Sequence, residues 1–386
     1  MLSTPSFQYA FLALLGGLAL SESIFIPPSL SGFLDVGVVS YELNNTSFQP
    51  TRDLMVSIFY PASLPSSQRY RLSPDFGPET AVYTDNWISF TPGSSAKLRM
   101  LAYDSAPISF KHENVPVLFF SPGYGNSRVY YTGAAQNLAS NGYIVVTMDH
   151  AVDSDFIEYP DGRNATYAEN DAMPFELYAP FVDRRVSDIL FILEDLGTPH
   201  ETPKIPGLRG KLQLEKVGAL GHSLGGCTAA ALMLNDTRFI VGVNMDGSMT
   251  GPVATEGLDQ PFLLLASAGH VNDVSWVEFY LALRGWKRDI RVNNTEHHHY
   301  SDTLYLENVL RPDGDPANAD FLRGDRMYVI ENAYLIAFFD KWFKKADGKL
   351  LDGPVSEFPE VLFDCCGSAV GANSCACPPK EGRRVL

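Results

Sequence analysis

Short apolar runs alternate with segments of helical periodicity along most of the chain. Residues 34–41 and 54–60 alternate or run apolar, as the two strands of an opening antiparallel pair do. Residues 61–95 are rich in Ser, Pro and Gly and read as loop with short elements. From 115 the texture changes. Residues 115–121 (VPVLFFS) form an apolar run followed by Pro-Gly-Tyr-Gly. Residues 130–141 read as a helix, and 143–149 (YIVVTMD) as a second buried strand. After Pro180, residues 181–196 carry a helical period with Ile189, Ile192 and Leu193 on one side. Strands are expected at 217–220, 240–245, 262–266 and 290–293, and helices at 228–234, 274–284 and 327–345.

Strands of about 4–8 apolar residues separated by helices imply a parallel sheet. Both faces of such a sheet are buried under crossover helices, so its strands lack polar alternation. The expected class is therefore α/β, with a mostly parallel central sheet covered by helices on both faces. The alternation is lost over 346–386. The expected organisation is one folded domain over 22–345 followed by a Cys-containing tail.

Composition narrows the partners. At 45% hydrophobic and 19% charged residues, a chain of 386 residues can bury a large core. The formal net charge of −16 repels phosphate backbones and anionic lipid, so nucleic acid is not an expected partner. Residues 9–20 (YAFLALLGGLAL) are apolar and small-rich, and 19–21 offers small residues for cleavage after Ser21. That run is short of the roughly 20 apolar residues a membrane span needs, so 1–21 reads as an export signal, although its start lacks Lys and Arg. Sequons at Asn44, Asn45, Asn164, Asn235 and Asn293 agree with secretion. So do Cys365, Cys366, Cys375 and Cys377, which could form disulfides in the tail. Cys227, the fifth, reads as a small buried helix residue.

The chemistry is concentrated in Gly221-His222-Ser223-Leu224-Gly225. A G-x-S-x-G run is weak alone, but here it follows an apolar strand and precedes a small-residue helix, the strand–turn–helix setting of a nucleophile elbow. Ser223 is the candidate nucleophile. A serine hydroxyl needs a base, and the base needs an orienting carboxylate. In such folds both follow the serine, the acid before the histidine. Asp246 ends the strand 240–245, at the same sheet edge as Ser223; Asp259 and Asp273 lie in looser, polar contexts. The histidines beyond Asp246 are His270, His297, His298 and His299. The 297–299 cluster follows a strand and supplies the candidate base. Neighbours on an extended segment point to opposite sides, so a metal site there is not expected. For the oxyanion, the backbone N–H of Leu224 is one candidate donor. The other comes from the 121–125 loop, where Pro122 cannot donate and Tyr124 is the best candidate.

With these residues placed, the chain resembles the plasma-type platelet-activating factor acetylhydrolase family over roughly 50–345. The 52–62 segment, with Phe59-Tyr60-Pro61-Ala62, is similar to the family's opening strand. Residues 120–128 resemble its oxyanion loop, with Pro122 where a histidine is commoner, and 221–226 match its nucleophile motif. The resemblance also selects the base. Its histidine has an aromatic residue at +3 and Asp at +5, which His297 meets with Tyr300 and Asp302. What the resemblance implies is an α/β-hydrolase fold and hydrolysis of the sn-2 acyl ester of phospholipids with short or oxidised acyl chains. No cofactor, metal or calcium is implied; the partner is a lipid or small ester substrate, with room for a transient contact with a lipid interface. Two other functions fit the same motifs: a broad secreted carboxylesterase or cutinase-like polyester hydrolase, and a silent α/β-hydrolase scaffold used for binding.

Overall fold

The computed structural model describes residues 29–46, 51–109, 115–151, 153–166, 178–198, 204–270, 273–311, 313 and 320–364. The proposed signal (1–21) and the four clustered cysteines lie outside the described residues. Strands and helices follow in chain order. The first part holds β1 (Val36–Asn45), β2 (Arg52–Pro61), β3 (Leu72–Pro74), α1 (Pro78–Trp87) and β4 (Arg99–Asp104). The central part holds β5 (Val117–Ser121), α2 (Thr132–Ser140), β6 (Ile144–Met148), β7 (Ile157–Glu158), β8 (Asn164–Ala165) and α3 (Ala179–Gly197). Then come β9 (Val217–His222), α4 (Leu224–Asn235), β10 (Phe239–Met245), α5 (Val253–Glu256), β11 (Phe262–Ser267) and α6 (Val274–Ala282). The last elements are β12 (Lys287–Val292), α7 (Thr303–Leu310), α8 (Gly324–Phe343) and β13 (Val361–Asp364).

One 11-stranded sheet carries the fold, in the order β13-β12-β11-β10-β9-β5-β6-β2-β1-β4-β3. The six strands from β6 to β12 pair in parallel, and β2 joins them antiparallel through Ile58↔Val146. Every residue of β5, β6, β9 and β11 is buried, because helices cover both faces. The two main cores lie on either side of the sheet. One packs β5 and β9 against α3 and α4 through Phe119, Ile189, Ile192 and Leu232. The other packs Phe120, Leu220 and Val243 against α2 and α8 through Leu138, Leu335 and Phe338. Among the described residues no helix is long and apolar enough to cross a membrane.

The α/β class and its mostly parallel sheet agree with the sequence pattern. Three differences have physical reasons. Helix α4 starts at Leu224, not 228, because Gly225 and Gly226 occupy its first turn and hide it from a propensity reading. Strand β4 lies on the sheet's outer side, where its residues are half-buried in alternation and give a weak apolar signal. The third concerns the proposed tail at 346–386. Its first part is built into the domain: β13 pairs antiparallel with β12 through Ile290↔Phe363 and Val292↔Val361. Leu351, Phe358 and Val361 are buried in the core beside α8. A four-residue strand reached through polar turns leaves no periodicity to read.

Candidate active site

The sharp turn between β9 and α4 sets Ser223 at a positive φ of 55° with ψ −124°, a strained conformation for a side chain with a Cβ. The turn is held from both sides. The Ser223 amide donates to Met245 O at 2.8 Å, and its carbonyl accepts from Gly226 N at 2.9 Å. Close approach explains the glycines. A Cβ on Gly225 would sit 1.9 Å from Ser121 O and 2.6 Å from Pro122 O, and one on Gly221 would lie 2.3 Å from Gly225 backbone atoms. These are backbone atoms with nowhere to move.

Asp246 leaves the neighbouring strand β10, also at a positive φ of 59°. Its Oδ2 lies 2.7 Å from His297 Nδ1, and its Oδ1 accepts from the Ser267 amide at 2.6 Å. His270 Nδ1 stands 3.4 Å from Oδ1. Burial alone would raise the Asp246 carboxyl. The hydrogen bond from His297, the charges of His270 and His297 and the Ser267 amide outweigh it and hold the carboxyl below the usual range. An ionised carboxylate only accepts, so His297 Nδ1 is the donor of this bond.

The structure separates the three adjacent histidines. They form a 3-10 turn (His297–Tyr300), not an extended segment. His299 Nδ1 accepts from the Glu296 amide at 3.0 Å, and its Nε2 donates to Leu322 O at 2.8 Å, so both nitrogens are engaged. His298 is exposed. The alternative acids lie elsewhere. Asp259 is exposed and paired with Arg284. Asp273 caps α6 through the amides of Ser275 and Trp276 and holds His270 Nε2 at 3.3 Å.

Beside Ser223, the 121–125 loop carries the Tyr124 candidate. Two neighbouring amides are engaged: Gly123 N–H donates to Tyr131 Oη at 2.9 Å and Gly125 N–H to Asp153 O at 2.9 Å. Leu224, the other candidate donor, opens α4. Sequence reasoning missed the polar frame around this loop. Arg185, fully buried on α3, reaches the carbonyls of Pro122 and Gly123 and the carboxylate of Asp153. Its signal was legible, since Arg185, Ile189 and Ile192 share one helix face (i, i+4, i+7), where a charge is out of place. His222 bonds to partners far off in sequence, its Nδ1 to Tyr131 Oη and its Nε2 to His297 O, both at 2.9 Å. His150 Nε2 meets Ser121 Oγ at 3.0 Å and so supports the same loop from below. Cys227 is buried, and burial pushes its thiol up to about 11.

Known proteins resemble this chain in fold and in sequence. A solved ferulic acid esterase from Streptomyces cinnamoneus superposes with a TM-score of 0.75 at 27% identity, over 88% of this chain and 99% of that one. In sequence, a protein of Arthroderma benhamiae named "probable 1-alkyl-2-acetylglycerophosphocholine esterase" is 29% identical over 384 residues, 88% of this chain and 94% of the relative. The platelet-activating factor acetylhydrolase of Cavia porcellus is 26% identical over 239 residues, 54% of this chain and 55% of its own. The family model for platelet-activating factor acetylhydrolase, isoform II, matches residues 28–178 and 198–310, well over half of the chain. The chain is therefore an α/β-hydrolase esterase and belongs to the platelet-activating factor acetylhydrolase, isoform II, family.

Proposed function

We propose that this protein is a secreted serine esterase that cleaves the sn-2 acyl ester of phospholipids with short or oxidised acyl chains. Ser223 Oγ attacks the ester carbonyl and gives its proton to His297 Nε2. Asp246 holds the ring in the Nδ1–H tautomer and stabilises the imidazolium. The tetrahedral oxyanion is held by the backbone N–H groups of Tyr124 and Leu224. Collapse expels the lysophospholipid alcohol, which takes the proton from His297. Water, deprotonated by His297, then releases the fatty acid from the acyl-serine. The observation that carries this reading is the Asp246–His297 hydrogen bond at the sheet edge where β9 ends in the Ser223 turn.

The phospholipid class is supported by the family and by the name of the Arthroderma benhamiae relative. The likeness to a ferulic acid esterase over nearly its whole length favours a second reading, a broad carboxylesterase. Rates on a short-acyl phosphatidylcholine, p-nitrophenyl butyrate and methyl ferulate separate them. A kcat/KM on the phosphatidylcholine equal to or above that on the simple esters supports the first reading, and a negligible phospholipid rate removes it. Secretion rests on the 1–21 segment. Amino-terminal sequencing of exported protein should begin at Glu22, and a retained Met1 would refute cleavage.

A further inference from the structure

Arg185 is buried on all sides, on a helix face that it shares with Asp188, Ile189 and Ile192. A charge in such a place is costly unless every donor is matched. A guanidinium has five N–H donors, and here each has an acceptor. Nε and Nη2 take the two Asp153 carboxylate oxygens at 2.8 and 2.5 Å. Nη2 also reaches Gly123 O at 3.1 Å, while Nη1 reaches Pro122 O at 2.5 Å and Ser121 Oγ at 3.4 Å. Two of the five acceptors therefore belong to the short loop that follows β5, and a third is the last residue of that strand.

The consequence follows from peptide geometry. In a trans peptide the C=O and the N–H point in opposite directions across one plane. The Pro122 carbonyl points at Arg185, and the amide of the same peptide, Gly123 N–H, emerges on the far side at Tyr131 Oη. The Gly123 carbonyl also points at Arg185, so the next amide, that of Tyr124, is turned away from the guanidinium as well. Tyr131 clamps the opposite side. It accepts from Gly123 N–H, and its own hydroxyl donates to His222 Nδ1, since His222 Nε2–H is committed to His297 O. The loop is held between a guanidinium and a phenol, and the phenol side is tied to the backbone of His297.

We propose that Arg185 and Tyr131 are positioning residues of the oxyanion hole, fixing the Tyr124 N–H by gripping the loop from opposite sides. Neither touches substrate. The inference rests on the reading in which Ser223 is the nucleophile and Tyr124 an oxyanion donor. A misaimed donor weakens only the transition state, so the loss falls on kcat and not on KM.

The test uses the full chain with Arg185→Lys and Tyr131→Phe, p-nitrophenyl butyrate as substrate and a trifluoromethyl ketone as probe. Attack by serine on that ketone makes a tetrahedral oxyanion that occupies the hole. Both variants should lose roughly 10- to 100-fold in kcat, with KM changed by no more than about threefold. The ketone's Ki should rise by the factor by which kcat/KM falls. An unchanged kcat, or a fall in kcat with unchanged Ki, overturns the positioning role. If Arg185→Lys fails to fold, Tyr131→Phe, which deletes one oxygen, carries the test with the same outcomes. Ser223→Ala separates the two layers. If it is inactive while both variants match wild type, only the positioning role falls. If it retains turnover, the nucleophile assignment falls and the inference with it.

Discussion

His297 Nδ1 and Asp246 Oδ2 meet at 2.7 Å across 51 residues of sequence, joining the 3-10 turn after β12 to the end of β10. That contact singles out one of three consecutive histidines. His297→Ala should reduce kcat on p-nitrophenyl butyrate by on the order of 10⁴-fold or more, and Asp246→Asn by a similar order. His298→Ala, at an exposed position, should stay within about threefold. Steady-state kinetics on the three variants decides it, and a large loss in His298→Ala with His297→Ala active would refute the assignment.

The elbow tolerates no Cβ at Gly225, which would be driven into the Ser121 and Pro122 carbonyls. Gly225→Ala should cost about 2 kcal/mol or more of stability, since the neighbours are backbone. It should also displace the loop that carries Tyr124. Thermal unfolding and esterase assays should fall together. An alanine variant with wild-type Tm and rate would show that the close packing is not required.

Stability should depend on pH through a buried pair of acids. Thr132 Oγ1 lies 2.8 Å from Asp75 Oδ1 and 3.2 Å from Asp302 Oδ2. Burial, then the Asp302 charge, pushes the Asp75 carboxyl up to about 7. The unfolded value is about 4. Between those values the folded chain keeps a proton that the unfolded chain releases, so stability is lost as pH rises through the window. Asp75→Asn keeps an acceptor for Thr132 and cannot ionise. Its Tm should exceed that of wild type by about 2 °C or more at pH 8, with the gap closing toward pH 4. A gap that is constant or reversed would contradict the linkage.

Residues beyond 345 should matter to folding. Phe358 is buried against Tyr334 on α8, with ring centroids 5.8 Å apart, and Arg326 lies over its face at 5.2 Å. Phe358→Ala should cost about 3 kcal/mol in denaturant unfolding. A cost below about 1 kcal/mol would mean that this segment is peripheral.

The parallel strands were legible because burial on both faces removes polar alternation, as in 115–121 and 143–149. The placement of Ser223 in a turn between strand and helix, and of Asp246 at a strand end, was legible because such positions are fixed in a parallel sheet. His297 was different: its neighbours are chemically identical, and only the family resemblance selected it before the turn geometry was known. Less could be read where structure arises from contact across the sequence. Strand β13 exists because β12 offers it an edge. The frame of Arg185, Tyr131 and His222 exists because donors on one element find acceptors on others. Of that frame the sequence carried a single trace, a charge at position 185 on an apolar helix face.

The central claim is that Ser223 is the nucleophile. Its most direct test is peptide mass spectrometry of the protein after reaction with a fluorophosphonate, with Ser223→Ala in parallel. A single adduct on Ser223, absent from an inactive Ser223→Ala protein, is the predicted result. An adduct on another residue, with Ser223→Ala turning over substrate at the wild-type rate, would contradict it.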